Sequence, residues 1–184
     1  MVLAQQALVD RLQVDVLPYL GSHPSMGDVL AKQIQCETIQ QGWSADATVS
    51  APHVILMAHG SRRAGGNQPI EAIAADLDAT PAYWFVDPKL PDQLRMMLNK
   101  DSRPILVIPY FLFAGGITDA IANSIEQIKI ENDSISIALG KPLGDNPDLA
   151  SLITQTLAQE IALDLGQKTE KMSQKLILSA TLKH

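Results

Sequence analysis

Short apolar runs alternate with amphipathic stretches from Pro52 onward, and this alternation restricts the fold more than any other feature. Four runs are predicted to be buried strands, and they cover residues 54–58, 82–86, 105–113 and 135–139. The stretches between them carry apolar residues at helical spacing. The pattern predicts βαβ units and therefore an α/β domain built on a mostly parallel sheet.

Apolar side chains at helical spacing predict three crossover helices and a final helix. The positions are Ile70, Ile73, Ala74 and Leu77; Leu90, Leu94 and Leu98; Ile117, Ile121, Ile125 and Ile128; and Leu149, Ile153, Leu157 and Ile161. Asn146 is expected to cap the final helix, because it precedes Pro147, which suits a first helical position.

Residues 20–26 resemble residues 143–149, and the resemblance indicates an internal repeat. Both segments read Leu-Gly-x-x-Pro, follow an alternating apolar stretch and precede a helical pattern. Each therefore predicts a strand, a tight turn and a helix. The alternative is coincidence, because Gly and Pro punctuate many joints between strands and helices.

If the repeat is real, residues 1–42 form a helix–strand–helix that matches only the end of a domain. Residues 43–51 are then a linker, residues 52–165 the complete domain and residues 166–184 a C-terminal tail. Such a partial repeat cannot close its own core. We expect it to pack on the complete domain or to be buried in a homodimer.

Composition narrows the class of function. The chain has 184 residues, of which 46% are hydrophobic and 18% charged, as in ordinary globular proteins. A net charge of −6 without a basic stripe argues against binding to nucleic acid or to an anionic membrane. No apolar run approaches the ~20 residues of a membrane span, and the N-terminus does not resemble a signal peptide.

Cys36 is the only cysteine of the chain. A single thiol excludes a disulfide within the chain and any metal site built from several cysteines. This usage is typical of a reducing compartment, so we expect a cytoplasmic protein.

His59 is the first candidate site residue, because it directly follows the run 54–58. Ligands of parallel sheets collect where the strands end, and an imidazole there can bind a divalent metal or accept a proton. The alternative is a structural histidine hydrogen-bonded to its own loop. Arg62 and Arg63 beside it suit carboxylates, although an isolated arginine pair usually faces solvent.

A second candidate cluster ends the third run, where Phe111 and Leu112 precede Gly115 and Gly116. An apolar surface beside exposed backbone suits a flat aromatic ligand. The alternative is that Phe111 and Phe113 complete the core. The chain contains no Gly-x-Ser-x-Gly, Walker or Gly-x-Gly-x-x-Gly motif, so hydrolase, nucleoside-triphosphatase and dinucleotide-binding functions are disfavoured.

Three features together resemble the class II tetrapyrrole chelatases, that is, the sirohydrochlorin cobaltochelatases and ferrochelatases. They are His59-Gly60-Ser61-Arg62 after the first strand, the aromatic stretch 109–115 and the Leu-Gly-x-x-Pro turns. The resemblance covers about residues 52–165, and residues 1–42 resemble the end of a preceding domain. It implies a three-layer α/β/α domain with a four-stranded parallel sheet.

The resemblance also implies the chemistry and the residues that carry it. A divalent ion, Co²⁺, Fe²⁺ or Ni²⁺, is a substrate, and no cofactor stays permanently bound. His59 is the implied metal ligand and base. The implied tetrapyrrole-binding residues are Ser61, Arg62, Arg63, Phe111, Leu112, Gly115 and Gly116.

One position departs from the family pattern. Ile117 stands where these enzymes usually place a second metal-binding histidine, and its side chain cannot coordinate an ion. His23 is a substitute candidate, although a histidine in a turn is usually structural.

The leading hypothesis is insertion of cobalt or iron into sirohydrochlorin or a related tetrapyrrole, in cobalamin or sirohaem biosynthesis. The first alternative is a non-catalytic tetrapyrrole- or metal-binding module, or the degenerate half of a two-domain chelatase. The second is a structural dimerisation protein.

Overall fold

A computed structural model describes residues 16–17, 19–43, 51–132 and 136–181, with backbone alone for 167, 168 and 172–181. The strands are β1 His53–Ala58, β2 Ala79–Tyr83, β3 Ile105–Pro109 and β4 Ile137–Leu139. The helices are α1 Met26–Gln40, α2 Gln68–Asp76, α3 Leu90–Leu98, α4 Gly116–Glu131 and α5 Pro147–Thr181. Short 3-10 turns at Leu20–Ser22 and Leu143–Asp145 precede α1 and α5.

All four strands are parallel and lie in the order β2-β1-β3-β4. The register pairs Ala58 with Tyr83 on one side of β1 and Met57 with Pro109 on the other. All six residues of β1 are buried, which explains why the five that follow His53 form a continuous apolar run. The predicted four-stranded parallel sheet is confirmed.

Helices cover both faces of the sheet. Alternate strand residues such as Leu56 and Leu106 pack with α1, α2 and α5, and the intervening ones, such as Met57 and Val107, pack with α3 and α4. This confirms the predicted three-layer α/β/α architecture. Within the described residues, no helix combines the length and the apolar character that crossing a bilayer requires.

The second strand lies earlier in the chain than predicted. The apolar run suggested 82–86, but β2 is Ala79–Tyr83, and the chain beyond it forms a loop closed by a bond from the Tyr83 N–H to the Pro88 carbonyl (2.9 Å). The sequence did not predict the start of β2, because Pro81 lies within this strand and proline disfavours strands. At the edge of a sheet, a residue without an N–H costs no ladder bond. The third strand is also shorter than predicted and ends at Pro109.

The N-terminal helix belongs to the same core as the sheet. Met26, Val29 and Leu30 of α1 are buried, and the helix contacts α2, β3 and α5. The apolar face of α1 is therefore buried against the complete domain of the same chain, which was one of the two arrangements expected. The homodimer stays a prediction.

The strand predicted before α1 is not formed over the described residues. Val16, Leu17 and Tyr19 lie outside any strand, and the chain then enters the 3-10 turn Leu20–Ser22. Pro18 among them has no N–H with which to join a ladder. The helix predicted before that strand and most of the predicted linker, at residues 44–50, lie outside the described residues.

The two Leu-Gly turns have the same geometry. The N–H of His23 donates to Leu20 O and that of Asn146 to Leu143 O, both at 3.0 Å. Nδ1 of His23 accepts the Ser25 N–H at 3.1 Å, and Oδ1 of Asn146 accepts the N–H two residues on at 2.9 Å. His23 and Asn146 thus close the turn before their helices in the same way.

Helix α5 is longer and less buried than its sequence suggested. It runs through Gly166 to Thr181, so the backbone does not break at the predicted boundary between residues 165 and 166. Only its first turns lie on the sheet, because Leu149 is 3% exposed whereas Leu157 is 46% and Ile161 60% exposed.

Polar side chains of α1 join it to the end of β4. Oε1 of Glu37 accepts the Lys141 N–H at 2.9 Å, and the Gln33 amide donates to the Lys141 carbonyl at 2.7 Å. Both of these α1 residues are buried. Because β4 lies at the edge of the sheet, these bonds satisfy backbone groups that have no neighbouring strand.

Substitution of Leu30 tests whether α1 is part of the core. Leu30 has no exposed surface, so Leu30→Ala is expected to lower the free energy of unfolding by about 2–5 kcal/mol. Ile39→Ala is the matched control, because Ile39 lies on the same helix and is 61% exposed; its effect should stay within about 0.5 kcal/mol. Urea unfolding of both variants measures the difference, and equal effects would contradict the packing of α1.

Candidate functional site

The carboxyl edge of the sheet brings together the loops that follow β1, β2 and β3. The Phe85 N–H donates to the His59 carbonyl at 2.8 Å, and the Tyr110 N–H donates to Met57 O at 2.7 Å. Parallel pairing thus continues past the ends of the strands and holds the three loops in register. His59 is the first residue of β1's loop and is exposed.

Gly60 makes the sharp turn after His59 possible. Its φ is +81°, and a Cβ there would lie 2.8 Å from both Tyr83 Cβ and Val86 Cγ2. No other residue combines that backbone angle with so close an approach to the neighbouring loop. The chain therefore leaves the sheet directly after the imidazole.

Ser61 and Asn67 close the loop that carries the arginines. The Ser61 N–H donates to Asn67 Oδ1 at 2.7 Å, and the Asn67 amide donates back to the Ser61 carbonyl at 3.2 Å. Ser61 Oγ accepts the Arg63 N–H at 3.2 Å. Ser61 thus shapes the loop, while the side chains of Arg62 and Arg63 are exposed.

His59, Phe85 and Arg62 form one cluster of side chains. The His59 and Phe85 ring centroids are 5.3 Å apart with 31° between the planes. The Arg62 Cζ lies 5.1 Å from the Phe85 centroid, within the range of a cation–π contact. Sequence reasoning missed Phe85, although it lies in the predicted run 82–86; it belongs to the loop that follows β2, which ends at Tyr83.

The aromatic stretch after β3 exposes one of its two predicted residues, Leu112, more than the other, Phe111. Phe111 is partly buried and packs with the α3–α4 side of the core, whereas Leu112 is 47% and Phe113 76% exposed. The Gly144 N–H holds this stretch by donating to the Leu112 carbonyl at 2.7 Å. Phe113, rather than Phe111, is therefore the aromatic ring available to a ligand.

The start of α4 is closed by its own side chains. Thr118 Oγ1 accepts the Gly115 N–H and donates to the Gly115 carbonyl, both at 2.8 Å. Gly115 and Gly116 are exposed, but the N–H of Gly115 is already paired. Ile117 packs with the core on the α3–α4 side, so the position of the expected second histidine is apolar and partly buried.

Nitrogen and oxygen ligands are sparse along this edge. Over the part of the chain that the structure describes, no group of three or more His, Cys, Asp or Glu side chains could hold a metal ion. His23 uses Nδ1 to accept the Ser25 N–H, and it lines a cavity between the first Leu-Gly turn and α5. Burial raises the pKa of Tyr110 to about 12, so its phenol stays protonated and donates to the Gly21 carbonyl at 3.3 Å.

His53 forms a separate cluster at the opposite edge of the sheet. Its Nε2 lies 3.0 Å from both carboxylate oxygens of Asp101, and Arg103 Nη2 lies 3.1 Å from its Nδ1. Nδ1 can accept from the guanidinium only when the ring is neutral, which leaves Nε2 to donate to the carboxylate. Both nitrogens are therefore engaged, and this cluster joins β1 to the segment before β3.

Fold and site together define an α/β domain of the tetrapyrrole-chelatase class. The CbiX family model matches residues 53–160, and the chain belongs to the CbiX family. The family of the predicted resemblance is thereby confirmed.

Individual relatives agree with this assignment. The chain is 19% identical over 144 residues to the sirohydrochlorin cobaltochelatase of Priestia megaterium, a match that covers 74% of this chain and 46% of that protein. A CbiX protein of Marinobacter aquaeolei VT8, assigned to cobalamin biosynthesis, has a similar crystal structure. That likeness has a TM-score of 0.52 and 28% identity, and covers 60% of this chain and 98% of the other.

SirB from Bacillus subtilis, in a structure with Fe³⁺, shares the fold with a TM-score of 0.63 and 18% identity. The match covers 76% of this chain and 56% of SirB. This chain thus spans about half the length of the cobaltochelatase and of SirB.

The Asp101 carboxylate is expected to make the stability depend on pH. Hydrogen bonds from the Arg103 backbone N–H, and then from the His53 and Arg103 side chains, lower the pKa of Asp101 from 3.8 to about 2. The carboxylate therefore stabilises the fold fully above its unfolded pKa, and the contribution is lost as the pH falls through the folded value. Asp101→Asn should lower Tm at neutral pH, and the difference should shrink between pH 4 and pH 2.

Thermal unfolding at several pH values measures this difference. Asp92→Asn is the control, because Asp92 is an exposed residue whose ion pair with Arg95 is 3.8 Å long. An Asp101→Asn penalty that does not change with pH would show that the ionised carboxylate is not its cause.

Proposed function

We propose that the protein inserts a divalent metal ion, cobalt or iron, into sirohydrochlorin or a closely related tetrapyrrole, in cobalamin or sirohaem biosynthesis. The observation that carries the proposal is the exposed imidazole of His59 at the carboxyl end of β1 in a CbiX domain. The names of the relatives support it, since one is a cobaltochelatase and another was solved with iron. The exposed, unpaired thiol of Cys36 suits a cytoplasmic location.

His59 is the metal ligand in this proposal. A neutral imidazole binds Co²⁺, Ni²⁺ and Fe²⁺ alike, so the metal identity follows from availability and from the substrate. The ring is exposed, and among the described residues no hydrogen bond occupies either of its nitrogens. It can therefore replace one water of a hydrated ion, while the pyrrole nitrogens of the substrate replace the others.

Insertion also requires the loss of protons. A divalent ion replaces two N–H protons of the macrocycle, so the charge of the complex is conserved. When the ion has passed to the ring nitrogens, the lone pair of the His59 imidazole is free again and can accept one proton. The exposed edge lets water accept the other.

The macrocycle is held by charge and by apolar surface. Its peripheral carboxylates match Arg62 and Arg63, whose planar groups form paired hydrogen bonds with carboxylates. Its flat face suits the exposed side chains of Leu112 and Phe113. Since the chain is acidic as a whole, this attraction has to be local.

A non-catalytic tetrapyrrole- or metal-binding module is the second candidate. Two observations favour it: Ile117 packs into the core where a second ligand is expected, and the described residues offer no three-ligand group. A degenerate half of a two-domain chelatase has the same site, and the match covers only 46% of the cobaltochelatase.

One assay separates the two candidates. Purified protein is mixed with sirohydrochlorin and Co²⁺ or Fe²⁺, and the loss of the metal-free absorption bands is followed. Turnover above the spontaneous rate supports the chelatase. Tight binding of the tetrapyrrole with insertion at the background rate would favour the binding module.

His59→Ala should reduce insertion to the background rate and leave Tm nearly unchanged, because the side chain is exposed and lies outside the core. The matched control is His23→Asn. Asn146 caps the equivalent turn, so asparagine can replace the capping role of His23. Insertion should survive in this control, and its loss there, with activity retained in His59→Ala, would transfer the ligand role to His23.

Arg62→Ala should raise KM for sirohydrochlorin by up to about fivefold with little change in kcat, because an exposed charge pair contributes about 0.2–1 kcal/mol. Arg95→Ala is the control, since Arg95 is exposed on α3 and pairs with Asp92. Steady-state kinetics measure both variants. A fall in kcat at constant KM in Arg62→Ala would show that Arg62 acts on the reacting centre instead.

A further inference from the structure

We infer that Phe85 is a positioning residue, which orients the His59 imidazole and holds the Arg62 guanidinium beside it. The inference rests on the proposed function and adds a residue to it. Phe85 is 50% exposed, so part of its ring is open to solvent beside the proposed site.

Phe85 contacts the proposed metal ligand and the proposed carboxylate clamp at once. Its ring centroid lies 5.3 Å from that of His59 at a 31° tilt, and 5.1 Å from the Arg62 guanidinium carbon. An aromatic pair of this kind adds about 0.5–1.5 kcal/mol beyond simple burial, and the cation–π contact is comparable at exposed sites. One ring thus restricts two functional side chains.

The aromatic contact takes the place of a hydrogen bond. A metal-binding histidine usually donates its second ring N–H to a carbonyl or carboxylate, which fixes the ring. His53 has such partners in Asp101 and Arg103, but the imidazole of His59 has none among the described residues. Orientation by the Phe85 ring leaves the lone-pair nitrogen of His59 open, first for the metal ion and then, once the ion has left, for a proton.

The backbone around Phe85 is itself fixed. Its N–H donates to His59 O at 2.8 Å, and the Trp84 N–H donates to Ala58 O at 2.9 Å. The Lys89 ammonium donates to the Trp84 carbonyl at 2.6 Å. These bonds tie the loop to the end of β1, so the ring of Phe85 starts from a rigid position.

Two matched substitutions test the role of the ring. Phe85→Leu keeps an apolar side chain but removes the aromatic face, and Phe85→Tyr keeps the face. The control is Ile130→Ala, since Ile130 is 80% exposed and lies near the end of α4 that points away from this edge. NMR of the carbon-bound His59 ring protons, assigned with His59→Gln, reports the ring current of Phe85.

In Phe85→Leu we expect the His59 ring protons to lose their ring-current shift. The affinity of His59 for Co²⁺ alone, followed by paramagnetic broadening of the same signals, should fall by about 2- to 12-fold, the equivalent of one aromatic pair. In the insertion assay kcat should fall and KM should rise together. Phe85→Tyr should restore all of these values, and Ile130→Ala should change none of them.

Unchanged His59 signals and unchanged Co²⁺ affinity in Phe85→Leu would overturn the inference. So would a loss in Phe85→Tyr as large as that in Phe85→Leu, since it would implicate packing rather than the aromatic face. If the wild-type protein inserts no metal, the proposed function fails. The NMR and Co²⁺ measurements still decide the role of Phe85 in that case.

Discussion

The double-sided pairing of β1 is the constraint on which the rest of the structure depends. β1 lies between β2 and β3, so both of its edges are hydrogen-bonded, and all of its residues are buried. A slip of one residue would exchange the residues of its two faces, so the register is fixed by the core. The register in turn decides where the chain leaves the sheet, and it leaves at His59. The chain turns directly afterwards at Gly60. This residue has to be glycine, because a side chain there would collide with the end of β2 and the loop that follows it. The backbone position of His59 is therefore fixed by the buried residues of β1, although the His59 ring itself is exposed.

The N-terminal helix has a similar relation to β4. Its apolar residues complete the layer between α2 and α5, and Glu37 and Gln33 bind the backbone of Lys141 where the edge strand ends. The geometry of the first Leu-Gly turn repeats that of the second, and Tyr110 from β3's loop bonds to the Gly21 carbonyl. The segment that reads as the end of a preceding domain is thus built into this one. The polar bonds of this segment join groups that are far apart in the sequence, so no local sequence pattern predicts them.

Apolar periodicity predicted the architecture, because strands that are buried on both faces of the sheet appear in the sequence as continuous apolar runs. It placed β1 to within one residue and the start of β3 correctly but misplaced β2, since Pro81 is tolerated only because β2 is an edge strand. Within the candidate site, His59, Arg62 and Arg63 could be placed at the carboxyl edge because the end of a strand is a local feature. The choice between Phe111 and Phe113 could not be made, since it depends on contacts with the second Leu-Gly turn. Phe85 was missed because it lies in the loop after β2 and its role depends on contacts with His59 and Arg62, which belong to another loop.

A lone imidazole suits the delivery of an ion better than its retention. Protein sites that hold metal permanently use three or four ligands, and the described part of this chain offers no such group. A single exposed nitrogen binds weakly, so an ion on His59 can pass to the ring nitrogens of a macrocycle without a large barrier to release. Under the proposed function, isoleucine in place of a second histidine at position 117 weakens binding of the free ion but does not prevent transfer of the ion to the macrocycle. What a weak ligand does need is a defined direction, because its one bond sets the path of the ion. The Phe85 ring, fixed through the backbone of its own loop, can supply that direction while leaving the lone-pair nitrogen of the imidazole open.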